Sequence, residues 1–336
     1  MASIWLISAV ADLKSPQPNL ECLRGQFSKD SSTQHRLAES PADADIVLLV
    51  DEVLGADHFY RRIRKDSTVR IFREKCFLFT THDRVIPFFP GMYASLPQSS
   101  ADSGRQRAGF YLPSEFNRHL QYAGEISGGC DLLFSYVGRN NYKPEREWLL
   151  GLQHDKRFVR DTFTGRGDAP AKFGLPEDMH ETYVAASQRS AFVLCPRGYG
   201  VCSIRLFETM MLGRVPVILS DDWTPPDGID WNAFSVRAAE RGSPHLVKRL
   251  ENLLPQAGQM GRRARQAWLE HFSGQAAVDR IVKQCQDLIL KRSVPEKRAR
   301  FRAIKTQLHP YHVKRWLATN GRFFQWKHGV ERGIDL

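Results

Sequence analysis

The stretch "SAFVLCPRGYGVCSIRLFETMMLGRVPVIL", residues 190–219, decides the fold. SAFVLC (190–195) and RVPVIL (214–219) read as strands, and 203–212 between them reads as an amphipathic helix. The whole is about the length of one β-α-β unit, whose crossover is almost always right-handed. In an open parallel sheet a ligand sits beyond the carboxyl ends of the strands, where the next helix begins, and PRGYGVCS occupies that place. Gly198 and Gly200 let backbone approach a ligand closely, and Ser203 can cap the helix or donate to a phosphate. The helix N-terminus adds free N–H groups and partial positive charge. Arg205 adds a forked cation suited to phosphate oxygens. Glu208, three residues on, has two readings: a surface ion pair with Arg205, or a carboxylate that accepts from the hydroxyls of a ribose. The spacing lacks the Lys-Ser/Thr ending of a P-loop, and a dinucleotide fingerprint belongs after a domain's first strand. A nucleotide-diphosphate site of another kind fits better.

Working outward, SIWLISAV (3–10), DIVLLV (45–50) and KCFLFT (75–80) are strand candidates in the first third, and LLFSYVG (132–138) restarts the pattern. KPEREWLLGLQH (143–154) reads as a helix with proline at its start, and RFVR (157–160) as a further strand. Residues 177–189 read as a helix, and Ser243-Pro244 as the start of another. In AVDRIVKQCQDLIL, Val278, Ile281, Val282, Cys285, Leu288 and Ile289 recur on one helical face. The proline-rich segment 86–113 reads as an extended surface loop, and SGGC (127–130) as a hinge. A chain of 336 residues exceeds what one core usually holds. The expectation is α/β, with two Rossmann-like domains facing a cleft, 1–129 and 130–290, and a basic extension over 291–336.

Composition narrows the classes. Of the net charge of +11, the last 46 residues carry +9, so the body need not be a nucleic-acid binder, and no nucleic acid is expected. No apolar run reaches the roughly 20 residues of a transmembrane helix, and MASIWLISAVADLK reads as a first strand, not a signal peptide. Six cysteines without CxxC spacing suggest neither a zinc site nor a disulfide framework, and a reducing cytoplasm is the simplest compartment.

The long stretch also resembles the signature of the exostosin family of glycosyltransferases: S-x-F-x-L-C-P-x-G, then S-x-R-x-x-E, then G-x-x-P-V-I. Upstream, YVGRNNYKPERE and ETYVAASQRS resemble the family's donor-domain opening and the short helix before the signature. The resemblance is good over about 131–222, fair to about 290 and weak before 130. It implies a GT-B architecture and transfer with inversion from a nucleotide-diphosphate sugar, UDP-sugar favoured, to a glycan or lipid-linked acceptor in polysaccharide biosynthesis. Carried over by position, Ser203 and Arg205 contact the diphosphate and Glu208 the ribose. Gly138 and Arg139 supply a second phosphate contact, and Pro196, Arg197 and Gly198 form the donor-side turn. Arg139 also reads as a turn with a solvated charge. Such enzymes usually work without a metal or other cofactor, the arginine and helix N–H groups meeting the charge that develops on the departing diphosphate.

An inverting transfer needs a base. His82 and Asp83, directly after a strand, are the candidates, with Asp83 favoured and Asp57-His58 second; a turn cap is the plain reading of His82-Asp83. Asp43-Ala-Asp45 reads as a strand start, not a cation site, and Asp221-Asp222 as either a donor-sugar contact or a turn. Trp5, Tyr93 and Tyr111 read as core or as stacking surfaces for sugar rings. The tail has three readings. Packing back on the first domain through Trp316, Phe323, Phe324 and Trp326 ranks first, peripheral contact with the inner face of a membrane second, and nucleic acid third. A catalytically silent sugar-nucleotide or glycan binder on the same fold is the alternative function.

Overall fold

The computed structural model describes residues 1–8, 17–29, 35–51, 58–83, 86–126, 130–139, 144–162 and 177–308, together with 310, 313 and 317. Trp316, Phe323, Phe324, Trp326, Asp57 and residues 127–129 of the expected hinge lie outside the described residues.

The first half builds one parallel sheet from β1 (Ala2–Ile7), β2 (His35–Leu37), β3 (Ile46–Asp51), β4 (Cys76–Thr80), β5 (Gly91–Tyr93) and β6 (Gln106–Ala108), in the order β2-β1-β3-β4-β5-β6. The helices here are α1 (Pro18–Lys29), α2 (Arg61–Lys65) and α3 (Ser67–Ile71). Neighbouring residues of one strand enter different cores. Leu48 and Val50 face one apolar cluster, while Val47 and Leu49 face another. A strand buried on both sides reads as a continuous apolar run, which is why DIVLLV shows no alternation.

Residues 86–113 correct the expectation of a surface loop. They contribute β5 and β6, and Phe88, Phe89, Met92, Tyr93, Leu96, Phe110 and Leu112 are all buried. Three-residue strands carry no readable period, and the prolines flank the strands without interrupting them. Tyr93 is core, its hydroxyl donating to the Phe89 carbonyl at 2.6 Å, so it offers no stacking face to a sugar.

The second half repeats the plan with β7 (Leu132–Gly138), α4 (Pro144–Leu150), β8 (Arg157–Asp161), α5 (Glu177–Gln188), β9 (Ser190–Pro196), α6 (Ile204–Leu212), β10 (Val215–Leu219) and β11 (Val236–Ala238). Its all-parallel order is β11-β10-β9-β7-β8. The strand order reverses between β7 and β9, and that switch point is where such sheets hold ligands. Gly213, at φ 75°, stops α6 in the left-handed conformation that favours glycine. α7 (Leu246–Leu253) starts at Leu246, preceded by a turn in which the Leu246 N–H donates to the Ser243 carbonyl.

α8 (Ala257–His271) packs on α6, β9 and β10, but α9 (Gly274–Leu290) crosses back. Val278, Ile281 and Val282, expected to lie with the second unit, meet Ile4, Leu23 and Leu48 of the first. α10 (Glu296–Arg302) follows along the edge of that same sheet, where Glu296 receives Arg105 Nη2 at 2.7 Å. One apolar cluster runs from Phe79 and Phe110 of the first half to Val193, Phe207 and Phe272 of the second, so the two sheets share a core. The two parallel sheets are the α/β pairing that the sequence leads one to expect.

Candidate active site

The site forms where the carboxyl ends of β4 and β9 meet. β9 is buried along its length to Pro196, and the chain then turns through 197–203 into α6. A Cβ at Gly198 would lie 3.6 Å from Asp83 Oδ2, and one at Gly200 would collide with the Asp83 carbonyl and Ser95 Oγ. The turn therefore touches the first half, and only glycine permits that approach at position 200. Asp83 Oδ1 accepts from the Tyr111 hydroxyl at 2.9 Å, and that hydroxyl lies 3.3 Å from Ser95 Oγ. Burial, and then the Asp83 charge, push the Tyr111 phenol well above its ordinary value, so it stays a donor to the carboxylate. Tyr111 is thus a core ring whose hydroxyl alone reaches the site, and not a stacking surface. His82 and Asp83 are both half-buried, and the His82 N–H donates to Thr80 Oγ1 at 3.2 Å.

Three arginines gather on the other side. Arg205 Nη2 donates to the Val137 carbonyl at 3.0 Å, with its guanidinium 5.7 Å from the Tyr136 ring and 5.6 Å from that of Tyr183. Its Nη2 is 2.9 Å from where a Gly138 Cβ would be. Burial works against the Arg205 charge, but Tyr136, Tyr183 and Glu208 outweigh it and hold the group protonated. Arg146, in the first turn of α4, went unread in the sequence. It is buried and clasps both loops of the switch point, Nη1 donating to the Arg139 carbonyl and Nη2 to the Arg197 carbonyl at 2.7 Å. Burial lowers its pKa, and the Arg205 charge adds to the lowering. It sits in the quoted KPERE, but only the meeting of two loops gives it a task. The Nε–H groups of Arg139, Arg146 and Arg205 are buried without protein partners, as are Thr162 Oγ1 and His180 Nδ1. Other such atoms are spread through the described residues, but these five leave hydrogen-bonding capacity open beside the switch point.

Other expected site residues have different partners. Glu208 is 4% exposed, with Oε1 accepting from the Asn117 N–H at 2.8 Å and Oε2 from the Tyr183 hydroxyl at 2.7 Å. This corrects the reading of a surface ion pair, since both oxygens are met by protein donors inside the fold. Arg197 turns toward Glu240, Nε to Oε2 3.6 Å. Ser203 caps α6 by position, but its hydroxyl makes no capping hydrogen bond. Asp222 accepts from the Ser99 N–H and Oγ, both at 2.8 Å, and Asp221 is paired through backbone with Glu240, so this pair joins the halves and a turn. Asp45, directly before β3, accepts from the Ser3 N–H at 2.8 Å and Oγ at 2.9 Å, which ties the start of β3 to β1 and pulls its carboxyl below the usual range. Among the described residues no group of three or more His, Cys, Asp or Glu is placed to hold a metal ion, and no helix is long and apolar enough to cross a membrane.

Comparison with known proteins bears on the same region. Residues 146–253 match the Exostosin GT47 domain. Over 76 residues the chain is 40% identical to the probable glucuronosyltransferase GUT1 of Oryza sativa subsp. japonica and 40% identical to the probable beta-1,4-xylosyltransferase IRX10 of Arabidopsis thaliana. Each match covers 22% of this chain and 18% of the relative. A probable glucuronoxylan glucuronosyltransferase of Arabidopsis thaliana is 28% identical over 145 residues, covering 43% of this chain and 30% of its own length. The chain therefore spans less than a third of the length of these relatives. The crystal structure of TarM overlays with a TM-score of 0.33 at 11% identity, covering 74% of this chain and 44% of that one. With the signature turn, Arg146 and Arg205 all inside the matched span, residues 146–253 belong to the exostosin GT47 family of glycosyltransferase domains.

Proposed function

We propose that the protein is an inverting glycosyltransferase that moves a sugar from a nucleotide-diphosphate sugar, with a UDP-sugar favoured, to a glycan or lipid-linked acceptor. The observation that carries this reading is the meeting of Asp83 with the Gly198–Gly200 turn beside Arg139, Arg146 and Arg205. In the reaction the acceptor hydroxyl attacks the anomeric carbon as the bond to the diphosphate breaks. Asp83 takes the hydroxyl proton, with His82 the alternative base. Negative charge grows on the departing diphosphate, and the fixed guanidinium groups and the N–H groups at the start of α6 stabilise it without a metal. Tyr111, by donating to Asp83, orients the base toward the turn. Six free cysteines fit a reducing cytoplasm. With this reading we place a peripheral membrane contact through the basic residues 291–336, where a lipid-linked acceptor would be met.

The test is thermal stability of wild type and Arg205→Ala with UDP, GDP, TDP, ADP and CMP, in EDTA and again with manganese. Ligand at about 100 times its Kd stabilises by about 2.7 kcal/mol. The expected result is one diphosphate that raises the midpoint of wild type, in EDTA, and not that of Arg205→Ala. A shift with no acceptor-dependent release of nucleotide would leave a silent binder, and no shift under either condition would remove the donor site.

A further inference from the structure

From Lys291 to Leu308 the chain carries seven Lys/Arg and one acid, Glu296. That acid is 1% exposed. Its Oε1 receives Arg105 Nη2 at 2.7 Å and Arg300 Nε at 2.8 Å, and its backbone N–H donates to the Glu74 carboxylate at 3.1 Å. Arg292 Nη1 pairs with Glu74 Oε2 at 3.0 Å, and the Arg300 guanidinium lies 4.6 Å from the Phe89 ring centroid. Glu296 and Ala299 thus clamp α10 onto the first sheet and leave the opposite side outward. On that side Phe301 is 77% exposed, Ile304 46% and Leu308 75%. Phe301 and Ile304, three residues apart, share one side of the helix and the 3-10 turn (Ala303–Leu308) that continues it, and Leu308 ends that turn in line with Lys305. Exposed Lys297, Arg298 and Lys305 flank them, and no acid of this arm stands beside them.

We infer that this face is a docking surface for an anionic phospholipid bilayer, with Phe301, Ile304 and Leu308 entering the acyl boundary and Lys297, Arg298 and Lys305 meeting headgroup phosphates. This names the face and the lipid class for the membrane contact placed with the proposed function, and it rests on that part of the reading. The mixture selects the occupant. Phosphate groups account for the cations, but a nucleic acid offers nothing to two aliphatic side chains, whereas a bilayer takes both kinds of group at one depth. The clamp explains why the arm presents the face at all, because the one acid that would lower its charge is held inside by Arg105 and Arg300.

The experiment is co-sedimentation of the full chain with phosphatidylcholine vesicles and with vesicles containing about 30 mol% phosphatidylglycerol, the anionic component that draws clustered cations. Wild type is expected to bind the anionic vesicles about tenfold more than the neutral ones, and to be released by added salt. Phe301→Ser with Leu308→Ser is expected to lose about tenfold or more of that binding at an unchanged melting midpoint, as both side chains are exposed. If that variant folds poorly, Lys297→Glu with Lys305→Glu provides the same readout. Equal binding to both vesicles, no binding, or variants that bind as wild type would overturn the inference. So would a single-stranded oligonucleotide that binds wild type and fails on the same variants, which would assign the face to nucleic acid. The diphosphate-induced thermal shift, measured on the same variants, reports the donor site separately, so either reading can fail alone.

Discussion

Glu208 shows how a residue of the signature can serve the fold. Burial lifts its carboxyl above the usual value near 4.5, against the Asn117 N–H, the Tyr183 hydroxyl and the Arg205 charge, which all pull downward. The unfolded chain has no such burial, so as pH rises past the ordinary carboxylate value, ionisation costs more in the folded state than in the unfolded one. Stability is lost through that window and is level above the folded pKa. Glutamine keeps an acceptor for Asn117 and a partner for Tyr183 but does not ionise. Glu208→Gln is therefore expected to gain in melting midpoint relative to wild type as pH is raised from about 4.5 toward neutrality. A difference between the two that is flat with pH would contradict this.

At the scale of elements, the turn between β9 and α6 is fixed by contact with the end of β4. A methyl group at Gly200 meets the Asp83 carbonyl and Ser95 Oγ, neither the far end of a long side chain. Gly200→Ala is expected to cost about 1–3 kcal/mol in chemical denaturation, as overpacking does, and to weaken diphosphate binding by moving the turn. Much of this layer was legible in the residues. β1, β3, β4, β7, β9 and β10 each follow an apolar run, and α6 follows its amphipathic pattern. β5 and β6 were not legible, because three residues hold no period and their prolines suggested a loop. The face of α9 was correct at Val278, Ile281, Val282, Cys285 and Leu288, while Ile289 is exposed. Its partner was not, since a period tells which side of a helix is buried and not what covers it. The same limit applies to the site. Arg205 reaches the end of β7 at Val137 and Gly138 from within one β-α-β neighbourhood, whereas Arg146 and Tyr111 acquire roles only when distant loops meet.

Across the whole molecule, the halves are held by more than the segment that connects them. Pro97 bridges Trp223 in antiparallel fashion, the Gln98 N–H donates to the Asp222 carbonyl and the Thr224 N–H to that of Leu96. The Asp222 carboxylate adds two hydrogen bonds to Ser99. Asp222→Ala removes those two and keeps the backbone ones, so a stability loss of about 1 kcal/mol is expected. Faster hydrogen exchange at Ser99 than at the amides of β4 is the sharper readout, and unchanged exchange there would show that the carboxylate holds nothing. The return of α9 has a consequence for synthesis. Residues 132–271 supply a sheet and helices that are contiguous along the chain, but the first sheet lacks its cover until Val278, Ile281 and Val282 have left the ribosome. At about 5–20 residues per second that delay is on the order of ten seconds. The half made first is therefore the half completed last, and until α9 arrives Ile4, Leu23 and Leu48 face the cell uncovered, the interval in which a chaperone has the most to hold.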